Sequence, residues 1–435
     1  METPDNPMTI TVLMRVEGLT EARFRQFLQD TWLAWPRFRQ LPQFRGTGWW
    51  WEEDPVFSLK HHLQVVPDAF NDTQLQNWIS NCLSQRLPDY RPRWKFWLLP
   101  QAQGCPALLF RIHHCYADGV SLVSLFEQLC TQTPDCTPAL PDVDEPSAAQ
   151  RWREAGLQWI QSHLTLPDDD GSAVGAARRQ AERVAMTGLR LVHEVTQYLL
   201  EPEDSPTSLR QALSGRRRCH WSPVVPLTDF QRVAARTGCK VNDVILACVA
   251  AAMREHLGRD GQLGEELTLH AAMPVDIRNL LPDNLQPRPG ELGNLFGTVF
   301  VPLPVDADTP LERLYRIKHE TRRLKHSWQP GISWGLICAA GVLPRTWQQA
   351  LAELFTRKAS AVVSNVPGTP EPRYLAGCRV REQMFWVPQS GGIGLGISVV
   401  SYAGGVQFGV VADEAILPEP APFLEACLRA LDAWQ

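Results

Sequence analysis

The stretch RIHHCYADGVSL, residues 111–122, decides how the rest of the chain is read. The apolar run PALLFRI before it reads as a strand. After it, Leu122, Leu125, Phe126 and Leu129 fall at helical spacing. His113 and His114 therefore sit at a strand–loop–helix junction. Neighbours on a strand point to opposite faces, so both rings can meet one substrate only where the strand has ended. By parity His114 continues the row Leu108, Phe110, Ile112, and His113 continues Leu109 and Arg111. One histidine is expected to enter a cavity while the other packs. Imidazole is the side chain whose ordinary pKa lies near a neutral working pH, which suits a general base. Asp118, four residues after His114, either orients the ring or holds the loop. Gly119 permits a close backbone approach or a positive φ at the helix start. Adjacent histidines that point apart suit a single metal ion badly, so no metal is expected. Two hydrogen-bonded core histidines before a turn are the plain alternative.

The chain has 435 residues, a formal charge of −5 and 44% hydrophobic residues. That is ordinary globular composition with room for two or three domains. Acidic and basic residues are mixed and the longest basic run is Arg216–Arg218, so no nucleic-acid partner is expected. Eleven cysteines without a CxxC pair point to reduced thiols and a cytoplasmic setting. The start METPDNPMTITV lacks the basic region of a signal peptide. The most apolar run, GISWGLICAAGVLP at 331–344, is shorter than the roughly 20 residues that span a bilayer. Trp49–Trp51 in GWWWEE suit a lipid surface.

MTITVLMRVEG reads as a strand. Phe24, Phe27, Leu28 and Trp32 read as one helix face. A β-rich stretch over 44–66 follows, then a helix from Asp72 to about Leu87 and a strand at KFWLLP. Pro, Asp and Ser crowd the region 131–175, and a helical crossover comes next. The expected division is a first domain over 1–165, a crossover over 166–214 and a second domain over 215–435. In the second half, PLTDFQRVAARTG is a helix with Thr228 or Asp229 near its cap and Gly238 near its end. KVNDVILACVAAAMREHLG is a buried helix. LTLHAAMPVDIR and GTVFVPLPV are strands, and TPLERLYRIKHETRRLK is a surface helix. PRTWQQALAELFTRKASA, with Trp347, Leu351, Leu354 and Phe355, fits a helix at a lipid interface or one packed on its own domain. Three late strands are expected at SAVVSNVPG, GIGLGISVVSYAGG and VQFGVVADEAI, before a final amphipathic helix. Alternating strands and helices argue α/β layering in both halves.

HHxxxDG after a strand resembles the signature of the coenzyme-A-dependent acyltransferase superfamily. RPRWKFWLL, KVNDVILA, MPVDIRN, LGNLFGTVFVPLP, SNVPGTPEPRYLAG and SYAGGVQFGVVADE follow in order. Together they look like the wax ester synthase/acyl-CoA:diacylglycerol acyltransferase family, from about Asn6 to the C-terminus. The resemblance implies an α/β fold of two chloramphenicol-acetyltransferase-like sandwich domains with a tunnel at their interface. It implies transfer of a long-chain acyl group from acyl-CoA to a fatty alcohol or diacylglycerol, with His114 as general base and no cofactor beyond the acyl-CoA substrate. His113 falls to packing or loop support. Asn242 of the Asn242–Asp243 pair is a candidate to position or stabilise the reacting centre, although either residue could simply cap its helix. Asp118 is expected to pair with Arg278. Ser364 and Asn365 are expected to open a loop that lines the tunnel, with Pro92 and Trp94 also near substrate; Arg93 stands where the family usually has Leu. Such substrates imply a peripheral membrane or lipid-droplet surface, on the cytoplasmic side of the inner membrane or on lipid inclusions. A carrier-bound acyl donor, or lipid binding without turnover, is the competing reading. Oligomeric state is left open.

Overall fold

β1 (Thr9–Val16) is buried on both faces, with only Val12 and Arg15 partly exposed, and is the strand around which the first half is built. The computed structural model describes residues 2–140 and 195–434, apart from short breaks at 4, 47, 101, 197, 199, 201, 265–266, 282–285, 288–290 and 341–344. Most of the expected crossover, with the loop-rich stretch before it from residue 141 on, thus lies outside the described residues.

From β1 the chain runs through α1 (Glu21–Asp30), the hairpin β2 (Gln40–Arg45) and β3 (Gly48–Glu53), then β4 (Leu63–Val65) and α2 (Asp72–Leu83). β5 (Trp94–Leu99), β6 (Ala107–His113), α3 (Gly119–Leu129) and β7 (Cys130–Thr131) complete the first half. The second half opens with β8 (Arg217–Trp221), β9 (Val225–Pro226), α4 (Leu227–Thr237), α5 (Val241–Arg259), β10 (His270–Asp276) and β11 (Phe296–Pro302). Three helices follow, α6 (Pro310–Lys325), α7 (Gln329–Ala340) and α8 (Arg345–Thr356). The last elements are β12 (Ala361–Pro367), β13 (Tyr374–Leu375), β14 (Cys378–Trp386), β15 (Leu395–Tyr402), β16 (Gly405–Asp413) and α9 (Pro420–Asp432).

Local chemistry sets the helix ends. Thr20 caps α1 by accepting from the Arg23 N–H, and the helix buries Phe24, Phe27 and Leu28. It stops at Asp30, so Trp32 lies in a following 3₁₀ turn, fully buried, rather than on the helix face expected for it. A reciprocal Asn71–Gln74 cap opens α2, which ends at Leu83, short of Leu87. Gly238 ends α4 with φ 64°, a left-handed position that favours glycine. Pro226 occupies the cap of α4, so Thr228 and Asp229 lie inside its first turn instead.

Two sheets organise the molecule, with the expected α/β layering. The first runs β4-β5-β6-β1-β14-β13-β7 and the second β11-β10-β12-β15-β16-β8. β14 was not expected from the sequence. It pairs antiparallel with β1, from Thr11 opposite Trp386 to Val16 opposite Val380, and so carries residues of the second half into the sheet of the first. The expected boundary at 215 thus separates the two halves along the chain but not the sheets. Met384 and Trp386 of β14, Leu13 and Leu109 of the first sheet and Cys219 and Val411 of the second share one buried cluster. Gly409 of β16 allows this approach, because a Cβ there would lie 2.4 Å from the Met384 Cε. All eleven cysteines are free thiols.

Candidate active site

β6 ends at His113, so the strand is over before His114. His114 therefore leaves the row of Leu108, Phe110 and Ile112, which stays in the core of the first half. Its backbone N–H donates to the Met8 carbonyl at 2.8 Å. Its ring enters a cavity of about 160 Å³ walled by Met8 and by second-half residues including Phe296, Phe300, Ile337 and Ile393. The Phe296 ring lies 5.4 Å from the imidazole, centre to centre. Tyr198, from the crossover, adds another wall and donates its hydroxyl to the Thr298 carbonyl at 3.0 Å.

Asn294 clasps the histidine twice. Its amide nitrogen donates to the His114 carbonyl at 2.9 Å, and its amide oxygen lies 2.8 Å from Nδ1 of the ring. A carbonyl only accepts, so the amide orientation follows, and the oxygen must accept from an Nδ1–H. Nε2 is then the unprotonated nitrogen and the basic one. Burial pushes the His114 pKa below its ordinary value, against the opposing pull of Asp118 and Asn294, so the ring is neutral at neutral pH.

His113 stays at the strand end. Its Nδ1 accepts from the Cys115 N–H at 3.1 Å, and its Nε2 lies 3.4 Å from the Glu2 carboxylate. Glu2 also lies 3.1 Å from Arg86 and 3.5 Å from Arg93. Burial alone would raise the Glu2 pKa, but His113 and Arg86 outweigh it and hold the value at about 2.

Asp118 does not touch the imidazole. Its carboxylate accepts from the Ser121 N–H at 2.7 Å, capping α3, and from the Leu295 N–H at 2.7 Å. Nη2 of Arg278 lies 3.0 Å from both of its oxygens and 2.7 Å from the Ser121 hydroxyl. One carboxylate thus ties the loop after His114 to the second half. A Cβ on Gly119 would meet only Val366, at an ordinary 3.7 Å, and its φ is not positive; neither reason expected for that glycine applies.

Several expected site residues lie elsewhere. Trp94 is fully buried in the core of the first half, donating Nε1–H to the Phe38 carbonyl at 2.8 Å. Pro92 and Trp94 border a different cavity from that of His114. Ser364 and Asn365 lie inside β12 rather than in a loop, because both continue its parallel ladder with β15. The Asn365 amide donates to the Asn242 side chain at 3.1 Å, and neither residue lines the His114 cavity. Asp243 caps α5, accepting from the Lys240 N–H at 2.8 Å and the Thr321 hydroxyl at 2.7 Å. Asn294 was missed. Its only signal was its place in LGNLFG.

The sequence matches the profile of the wax ester synthase/diacylglycerol acyltransferase catalytic domain over residues 1–245 and that of the family's C-terminal domain over 292–435. The chain belongs to the wax ester synthase/diacylglycerol acyltransferase family. It is an acyltransferase. A putative diacylglycerol O-acyltransferase of Mycobacterium tuberculosis is 29% identical, over 88% of this chain and 85% of its own length. A probable diacylglycerol O-acyltransferase of the same species, tgs1, is 27% identical, over 85% and 77%. Among solved structures, the wax ester synthase/diacylglycerol acyltransferase of Marinobacter aquaeolei VT8 superposes with a TM-score of 0.69 at 22% identity, over 100% of this chain and 95% of that one. A trichothecene 15-O-acetyltransferase of Fusarium sporotrichioides shares the fold at a TM-score of 0.63 and 12% identity, over 99% and 92%.

Proposed function

We propose that the chain moves a long-chain acyl group from acyl-CoA to the hydroxyl of a fatty alcohol or of diacylglycerol, with Nε2 of His114 as general base. The Asn294 clasp carries this reading, because it leaves a neutral imidazole with its basic nitrogen unpaired at an apolar cavity. Nε2 takes the hydroxyl proton as that oxygen bonds to the thioester carbonyl carbon. The tetrahedral oxyanion then collapses, the C–S bond breaks, and the proton passes to the departing thiolate. A positioned base of this kind contributes roughly 10²–10⁴-fold. The aromatic and aliphatic walls suit an acyl or alkyl chain.

A larger cavity, about 580 Å³, lies on the other face of the β10–β11 pair, against Met273, Val275, Val299 and Val301. Lys240, Lys318, Arg322 and Lys325 border it. None of the four makes an ion pair with a carboxylate among the described residues. Lys240 and Lys325 sit side by side, and that contact lowers the Lys325 pKa. Such a cluster fits the phosphates of coenzyme A, which a carrier-bound pantetheine lacks in this number. At the protein surface Phe44, Trp49 and Trp50 stand exposed on the β2–β3 hairpin. They support a peripheral lipid surface as the working site. No helix among the described residues is long and apolar enough to cross a membrane.

Purified protein with palmitoyl-CoA and either hexadecanol or diolein should yield ester detectable by mass spectrometry. His114→Ala should lose at least about 100-fold of that rate. No ester with either acceptor would overturn the reading.

A further inference from the structure

The first half contains a cavity separate from that of His114. It holds about 420 Å³ beside the loop after α2 and shares no lining residue with the His114 cavity. Lys60, Arg86, Arg91, Lys95 and Arg111 border it, and no aspartate or glutamate does. The whole chain is acidic, at −5, so this is a local concentration of positive charge rather than a reflection of composition.

Arg111 is the informative member. It projects from β6, opposite Lys95 of β5, and is only 2% exposed. Nη2 donates to the Gln85 carbonyl at 2.5 Å, while the buried Nε has no acceptor. No carboxylate pairs with it among the described residues. Burial pushes its pKa down to about 10, which still leaves it charged at neutral pH. A buried charge without a counter-ion is costly, and support of one loop carbonyl uses only one of its five N–H groups. The neighbours do not supply the missing charge. Lys95 donates to the Gln64 side chain at 2.9 Å. Only Arg86 has a carboxylate, Glu2, at 3.1 Å. Lys60 and Arg91 form no ion pair among the described residues.

We propose that this groove binds a phosphate ester, either the headgroup of an anionic phospholipid or a soluble phosphorylated compound. Several converging cations match a dianionic phosphate better than a single carboxylate, and the guanidinium fork of Arg111 fits its oxygens. The site stands apart from the acyl-transfer reading, and its test does not depend on turnover.

Trp94 and Trp97 line the groove and report on it through intrinsic fluorescence. Titration with inorganic pyrophosphate at fixed ionic strength should give a saturable change in the parent protein. The double variant Lys60→Ala/Arg91→Ala, altered at the rim rather than in the core, should bind about tenfold more weakly. Its ester formation should be unchanged. Sedimentation with phosphatidylcholine vesicles, with and without phosphatidate, separates the sources. Phosphatidate-dependent retention that the double variant loses identifies a lipid headgroup; pyrophosphate binding without it identifies a soluble ligand. A parent that shows neither response, or a double variant that matches the parent in both, would overturn the proposal.

Discussion

Asn294 decides which nitrogen of His114 is protonated, and so which one can act as base. A base works deprotonated, so with His114 as the proposed base activity should be present above its pKa and lost as pH falls through it. Burial places that pKa below the ordinary 6.5, and activity should persist at pH 6.5 and decline only below it. Asn294→Asp sets a negative charge beside Nδ1 and favours the imidazolium. The acidic limb of the pH–rate profile should then move up by about one pH unit. An unmoved limb in an active Asn294→Asp protein would remove Asn294 from this role. The sequence showed the histidine pair but not this partner, because the two side chains meet across 180 residues. Local spacing carries no trace of such a contact. Asp118 shows the limit in part: its contact with Arg278 was expected from the family resemblance, while the bond it accepts from the Leu295 N–H depends on the second half folding against it and left no local trace.

At the scale of elements, apolar rows made β1, β5, β6, β15 and most helices legible. β14 was not, for a physical reason. Its apolar residues Cys378, Val380, Met384 and Trp386 are buried at alternate positions, but Glu382 interrupts the row and is exposed. A register shift at Arg15/Val16 accompanies that break. The packing of α7 was equally hidden. Gly297 of β11 faces its first turn so closely that a Cβ would lie 1.9 Å from the Pro330 carbonyl oxygen. One residue on, the Thr298 N–H donates to the Ser333 hydroxyl at 2.6 Å. Ser333 and Ile337 of that helix line the His114 cavity. Gly297→Ala must push the helix away, at a cost of at least about 2 kcal/mol. Denaturant unfolding should show the loss, and ester formation should fall with it. A variant of parental stability would contradict the close approach.

For the whole molecule, the Asp118–Arg278 contact is one fastening between the halves. Arg278→Ala leaves a buried carboxylate short of its cation and should cost about 3 kcal/mol in urea unfolding. Full stability and full activity in that variant would strip the pair of this role. The exposed hairpin makes a separate prediction. The parent should float with liposomes, and Trp49→Ser/Trp50→Ser should float less while keeping its fold by circular dichroism. Equal flotation would move the lipid contact elsewhere. The pairing of β1 with β14 also has a consequence for biosynthesis. Some 360 residues separate the two strands. At about 5–20 residues per second, the ribosome needs roughly 20–70 s to deliver the second after the first has emerged. Through that interval one side of β1 remains an unpaired strand edge, open to pairing with another nascent chain. Yield in a cell should therefore depend on chaperone capacity during translation, even where the finished enzyme is stable.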